Sequence, residues 1–169
     1  MTTRSKTGDA RPAAPQELAG RVAVITGGGN GIGRGIALEL ASRGADIVIA
    51  DLDEAGGRKV AGEVEALGRK AIFGRTDVTS QTATDAMAKA ALDRFGRIDI
   101  LVNNAGVGAA PGWARRREST NDDWDAVFNV NVFGIVHATK SVEPHMQERR
   151  AGKIVNIASI AGRSMSTFQ

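Results

Sequence analysis

Val22-Ala-Val-Ile-Thr-Gly-Gly-Gly-Asn-Gly-Ile-Gly33 carries a strand, a turn and a helix start in one short stretch. The apolar run Val22–Ile25 reads as a buried strand. It stops at Thr26 and a cluster of glycines. A helical pattern follows, with Ile32, Ile36 and Leu40 on one face and Ala37 and Ala41 beside them. Strand, glycine turn and helix together aim a helix N-terminus, with its unpaired N–H groups and positive dipole end, at a phosphate. Gly27, Gly31 and Gly33 allow the backbone to turn sharply and to approach a pyrophosphate with no Cβ in the way. The dinucleotide fingerprint G-x-G-x-x-G fits no register here. The P-loop pattern fails because Arg34 stands where its lysine belongs. The pattern that fits is Thr26-Gly-x-x-x-Gly-x-Gly33. On its own such a loop could be no more than a tight turn.

Working outward, Gly44 closes the first helix and Asp46–Ala50 forms a second apolar strand ending at Asp51. An acid at that strand end can accept hydrogen bonds from the 2′- and 3′-hydroxyls of an adenosine ribose, and its charge repels a 2′-phosphate. No Arg or Lys adjoins it in sequence, and Asn30 in the glycine loop is uncharged. These residues favour NAD over NADP. A helix over about Glu54–Ala66, closed by Gly68, leads to a third strand, Lys70–Arg75, and to Asp77-Val78. Thr79 or Ser80 can cap a helix carrying Met87, Ala91 and Leu92 and ending at Gly96. Ile98–Val102, apolar but for Asp99, is a fourth strand running into Asn103-Asn104-Ala105-Gly106. Strands that are apolar on both faces and alternate with helices imply an α/β fold with a parallel sheet covered on both sides.

Composition narrows the function classes. The chain has 169 residues, of which 42% are hydrophobic and 24% charged, the profile of one soluble globular domain. It contains no cysteine, which removes disulfides, thiolate chemistry and Cys-based zinc sites and is compatible with a reducing cytoplasm. The net charge of +3 is dispersed, and Arg115-Arg116-Arg117 lacks the interleaved aromatics of a nucleic-acid surface. No apolar run approaches the ~18 residues of a membrane span. Residues 1–18 read as a polar, disordered tail and 19–169 as the dinucleotide-binding domain.

Thr26-Gly-x-x-x-Gly-x-Gly33, Asp51, Asp77-Val78 and Asn103-Asn104-Ala105-Gly106, in this order, resemble the short-chain dehydrogenase/reductase family in its compact form. The resemblance implies a Rossmann-type doubly wound parallel sheet and a nicotinamide cofactor. By that resemblance Thr26, Gly27, Asn30, Gly31, Ile32 and Gly33 would hold the pyrophosphate side. Asp51 would take the ribose, Asp77 and Val78 the adenine, and Asn104, Ala105 and Gly106 would line the cofactor beside the central strand. The loop Val107–Glu118 would border an alcohol or ketone substrate.

The remaining residues follow from the same pattern. Thr120-x-x-Asp123 approximates a capping box, and Trp124, Phe128, Ile135 and Ala138 recur at near-helical spacing. Asn131 is unfavourable in mid-helix. In the family an asparagine here bends the helix and holds a water of the proton relay. His137 and His145 read as packing or surface residues, and Pro144 should kink or end the helix. The fifth strand, Lys153–Ala158, delivers Ser159, which matches the serine that hydrogen-bonds the substrate oxygen. The resemblance implies a homodimer or homotetramer built partly on the Asn121–Met146 helix.

The family's general acid/base is a tyrosine in Tyr-x-x-x-Lys, and this chain has no tyrosine. The expectation is therefore an N-terminal part of a longer oxidoreductase, lacking the C-terminal part of the fold, with the fifth strand left as a sheet edge and the chain inactive alone. The alternative is a non-catalytic dinucleotide-binding module or cofactor sensor. An extended-type epimerase or dehydratase is disfavoured by Asn30, where that branch has glycine. No metal, nucleic-acid or membrane partner is expected.

Overall fold

Strand β1 (Val22–Thr26) is buried along its whole length because its side chains enter two different cores. Val22 and Val24 join one core, and Ala23 and Ile25 join the other. The computed structural model describes residues 16–108 and 120–159. Around β1 lie β2 (Asp46–Asp51), β3 (Ala71–Arg75), β4 (Ile100–Asn103) and β5 (Lys153–Asn156), all parallel, in the order β3-β2-β1-β4-β5. Helices α1 (Gly31–Ser42) and α2 (Glu54–Ala66) cover one face through Ala37, Ala41, Val60 and Val64. Helices α3 (Gln81–Phe95) and α5 (Gly134–Glu148) cover the other through Met87, Ala88, Ala91, Ala138, Val142 and Met146. The sheet is therefore wound on both faces, as the apolar strands implied.

Sequence order reverses about β1, whose neighbours are β2 and β4. The loops after β1 and β4 thus leave from adjacent strands and part company there. That is the place where open α/β sheets form a ligand crevice. β5 stands at the edge, with all four of its residues exposed.

Three local expectations need correction. Helix α1 does not bury Ile32, which is 68% exposed; its buried stripe is Gly33, Ala37 and Ala41. Small residues let the helix axis approach the sheet, while Ile36 and Leu40 pack at the flanks. Of the kink or helix end expected at Pro144, the end does not occur, since α5 continues to Glu148. Both Pro144 and Lys140, whose carbonyl loses its α-helical donor there, stand on the exposed side, where water can supply that donor. Between α4 (Asn121–Phe128) and α5 the chain forms one π-helical turn, Asn129–Phe133, in place of uninterrupted α-helix. The capping box at Thr120 and Asp123 is present, each side chain bonding the other's backbone N–H. The loop expected from Val107 to Glu118 lies outside the described residues beyond Gly108, as do residues 1–15 and 160–169.

At the opposite end of the strands sits an acid that the sequence marked only as an interruption. Asp99 is 5% exposed. It accepts the Val22 N–H at 3.0 Å and pairs with Arg21, Arg97 and Arg149 at 3.1, 2.6 and 3.3 Å. Burial alone would raise its pKa. Hydrogen bonds from Arg97, the Val22 N–H and Arg21, together with the Arg97 charge, outweigh burial and hold it well below the usual carboxylate range. A depressed folded-state pKa contributes stability that is present above the unfolded value and is lost as pH falls toward the folded one. We therefore expect Asp99→Asn to cost about 2–4 kcal/mol in urea unfolding at pH 7, since it leaves a knot of guanidiniums without its anion. The gap between parent and variant should shrink below about pH 4, where the unfolded carboxyl protonates. A gap that stays constant from pH 7 to pH 3 would contradict this.

Candidate cofactor site

The glycine turn is held by its neighbour strand. Thr26, buried at the end of β1, accepts the backbone N–H groups of Asn104 and Ala105 through Oγ1 at 3.0 and 3.1 Å. In return Asn104 Nδ2 donates to the carbonyls of Thr26 and Gly27 at 3.1 and 2.9 Å. The Gly27 backbone has φ +63°, and a Cβ there would stand 2.8 Å from Ala105 Cα. At Gly33 a Cβ would collide with the Gly27 carbonyl and the Asn104 side chain. Both positions require glycine for this close approach. Gly31 has φ +50° and open space at its Cβ position.

The turn delivers the N-terminus of α1 to the crevice without a cap. Asn30 occupies the capping position but makes no side-chain cap hydrogen bond, and the first turn holds no acid. By contrast, α2, α3 and α4 are capped by Asp53, Ser80 and Thr120. The unpaired N–H groups of α1 suit an external anion.

Asp51 is fixed by two backbone donors. Gly29 N–H reaches Oδ2 at 2.7 Å and Asp53 N–H reaches Oδ1 at 2.9 Å. No Lys or Arg among the described residues forms an ion pair with it. Asp77 accepts the N–H and hydroxyl of Thr79, at 2.9 and 2.7 Å, through one oxygen, Oδ1.

A cavity of about 350 Å³ joins these pieces. Its walls include Gly27, Asn30, Ile32, Gly33, Asp51, Asp77, Val78, Asn104, Ala105 and Gly106, so the exposed Ile32 is a wall residue. Thr26 is buried behind the wall, and Gly31, exposed at the start of α1, stands outside it. A larger cavity, about 750 Å³, opens beside the β5 edge near Asp99, Arg150 and Lys153. It lies at the N-terminal ends of the strands, away from the glycine turn.

Comparison with known proteins identifies this architecture. The family model for the short chain dehydrogenase matches residues 21–169. The chain belongs to the short-chain dehydrogenase family. A dehydrogenase subunit from Thauera aromatica, (2S)-[(R)-hydroxy(phenyl)methyl]succinyl-CoA dehydrogenase subunit BbsD, is 43% identical over 141 residues, covering 83% of this chain and 56% of its own. A short-chain dehydrogenase/reductase from Burkholderia phymatum, solved in complex with NAD, superposes with a TM-score of 0.79 at 42% identity, covering 88% of this chain and 52% of that one. A 7α-hydroxysteroid dehydrogenase, solved with NADH and 7-oxo glycochenodeoxycholic acid, gives 0.80 at 34% identity, covering 90% and 60%. The chain thus spans about half to three fifths of the length of these relatives.

The two short-chain dehydrogenase positions expected to serve chemistry are not in the cavity wall. Asn131 lies in the π turn, and its amide makes a reciprocal pair with the Val107 backbone, Oδ1 to N–H at 2.8 Å and Nδ2 to C=O at 2.9 Å. Ser159 is exposed, beyond the end of β5 at Asn156. Sequence reasoning missed Leu52, Thr76 and Val130, which complete the cavity together with Val107, the first residue of the loop expected to border substrate. It also read His137 as a packing or surface residue, whereas its Nδ1 lies 2.9 Å from the Val78 carbonyl. No spacing rule signals that contact, since it joins a loop to a helix 59 residues away.

The clamp can be tested directly. Thr26→Val removes the shared acceptor and leaves two half-buried N–H groups without it, so we expect a loss of about 1–3 kcal/mol in denaturant unfolding. Thr26→Ser keeps the oxygen and should recover most of it. Equal stability of the Val variant and the parent would show that the hydroxyl does not hold the two loops.

Proposed function

We propose that the chain is the dinucleotide-binding part of an NAD-dependent oxidoreductase that moves a hydride between nicotinamide and an alcohol/ketone substrate. The observation that carries this reading is the uncapped α1 N-terminus opening on the same cavity as the backbone-held Asp51 carboxylate. Gly27, Asn30, Ile32 and Gly33, with Thr26 buried behind them and Gly31 exposed at the start of α1, would take the pyrophosphate at the helix N-terminus. Asp51 would accept the ribose hydroxyls. Asp77 and Val78 would wall the adenine, and Asn104, Ala105 and Gly106 would flank the remainder. When bound, the nicotinamide supplies the hydride donor or acceptor.

Ser159 would donate a hydrogen bond to the substrate oxygen, and Asn131 would hold the relay water beside the loop it already ties down. Neither side chain supplies a proton at neutral pH. With no tyrosine among its 169 residues, the chain by itself would bind cofactor without turnover. In a protein of the relatives' length, the Tyr/Lys pair would come from the part that this chain does not span.

The preference for NAD over NADP rests on Asp51. Its charge is fixed by N–H donors and is not neutralised by an ion pair among the described residues, so a 2′-phosphate would meet an unscreened anion. A cytoplasmic homodimer or homotetramer is part of the same proposal. Trp124, Phe128, Val132 and Val136 recur every four residues along α4, the π turn and α5, and all are exposed. An apolar row of this kind suits a second copy of the chain. No helix among the described residues is long and apolar enough to cross a membrane, and no metal-binding cluster is found among them.

Isothermal titration tests the cofactor reading. The chain should bind NAD+ more tightly than NADP+, and Asp51→Ala should weaken NAD+ about tenfold and narrow the difference, as expected for loss of charged hydrogen bonds. Tighter binding of NADP+ by the parent, or no binding of either, would defeat it.

A further inference from the structure

The wall formed by Asp77 and Val78 belongs to a short loop between β3 and α3, and both ends of one of its peptide units are held. The Thr79 N–H donates to Asp77 Oδ1 at 2.9 Å. The Val78 carbonyl, the other end of the Val78–Thr79 peptide, faces His137 Nδ1 at 2.9 Å. A carbonyl only accepts, so Nδ1 must carry the hydrogen, which both the Nδ1–H tautomer and the imidazolium can provide. Helix α5 reaches this close because residue 134 is glycine: a Cβ there would stand 2.8 Å from Val78 Cγ2. Val78 itself is 7% exposed, so its carbonyl needs a partner from the protein.

His137 is braced in turn. Its own carbonyl accepts from Gln81 Nε2 at 3.3 Å, and Gln81 Nε2 also reaches Ser141 Oγ at 3.0 Å and Asp85 Oδ1 at 2.9 Å. Ser141 Oγ donates to Asp85 Oδ1 at 2.7 Å. This polar knot ties α5 to α3 and leaves the imidazole directed at the loop. The fully helical neighbours of His137 do packing work, but the ring itself acts on a backbone carbonyl of the cavity wall.

We propose that His137 is a positioning residue for the adenine end of the site: by holding the Val78 carbonyl it sets the plane of the Val78–Thr79 peptide and so the shape of the Asp77–Val78 wall. The inference rests on the dinucleotide reading above. It assigns His137 no contact with substrate or with the reacting atoms. Its loss should act on affinity for the adenosine half of the cofactor.

The test is titration of the full chain with ADP-ribose, using the parent, His137→Leu, His137→Asn and Asp51→Ala. Leucine removes the donor, whereas the asparagine amide can place an N–H close to the position of Nδ1. We expect His137→Leu to weaken ADP-ribose about three- to tenfold, the net worth of one hydrogen bond, and His137→Asn to return it to within about twofold of the parent. The inference alone fails if His137→Leu binds like the parent while Asp51→Ala binds less tightly, or if His137→Asn binds as poorly as His137→Leu. Failure of the parent to bind ADP-ribose removes the dinucleotide reading and this inference together. The unsubstituted protein gives a readout that does not depend on a variant folding. Its His137 Nδ1–H should be protected from solvent exchange in NMR spectra and should shift on addition of ADP-ribose. A freely exchanging imidazole, unmoved by ADP-ribose, overturns the proposal.

Discussion

Thr26 and Asn104 exchange hydrogen bonds between two loops that leave adjacent strands, and the geometry of the crevice depends on that exchange. Where β1 and β4 end, their backbone groups lose the sheet ladder, and a buried group without a partner costs about 1–3 kcal/mol. One hydroxyl and one carboxamide satisfy four such groups, two N–H and two C=O. Because all the strands are parallel, their C-terminal ends share one edge, so fixing these two loops fixes the mouth of the cavity. The close approach that the clamp requires in turn dictates glycine at positions 27 and 33, where a side chain would strike Ala105 or the Gly27 carbonyl.

Helix α1 inherits its direction from this arrangement and leaves its first N–H groups without a side-chain cap. A cap is ordinarily worth about 1 kcal/mol, and α2, α3 and α4 each have one. The same fold therefore stabilises three helix starts internally and keeps one open toward the cavity. That contrast distinguishes a binding end from a helix start that is merely exposed.

The elements that could be read from the sequence are those decided by local chemistry. Helix α2 is bounded by its Asp53 cap and by Leu67-Gly68, and α3 starts at Ser80 and stops at a left-handed Gly96. Both follow from rules that act within a few residues. Ile32 is set at the cofactor by resemblance and on the apolar face of α1 by periodicity, which cannot distinguish a side chain facing the core from one facing a cavity. Asn131 was recognisable as out of place in a helix, but the π turn around it could not be foreseen. Its partner, the Val107 backbone, arrives from 24 residues away. The arginines around Asp99 and the carbonyl partner of His137 were hidden for the same reason, since each contact bridges elements that only the fold brings together.

Asp51 and Asp99 show how one residue type serves opposite ends of one sheet. Both lie at the margins of strands, and both accept backbone N–H groups. Around Asp99, Arg21, Arg97 and Arg149 cancel the charge and surround it on several sides, so the carboxylate is consumed in tying β1, β4 and α5 together. Asp51 takes only neutral N–H donors, from Gly29 and Asp53. Those bonds orient the carboxylate without neutralising it, and they leave acceptor capacity on both oxygens. An anion fixed in direction, lining a cavity and lacking a cationic partner among the described residues, has charge left for a ligand's hydroxyls; one enclosed by guanidiniums does not. The physical distinction between structural acid and binding acid therefore lies in the partners each strand end supplies.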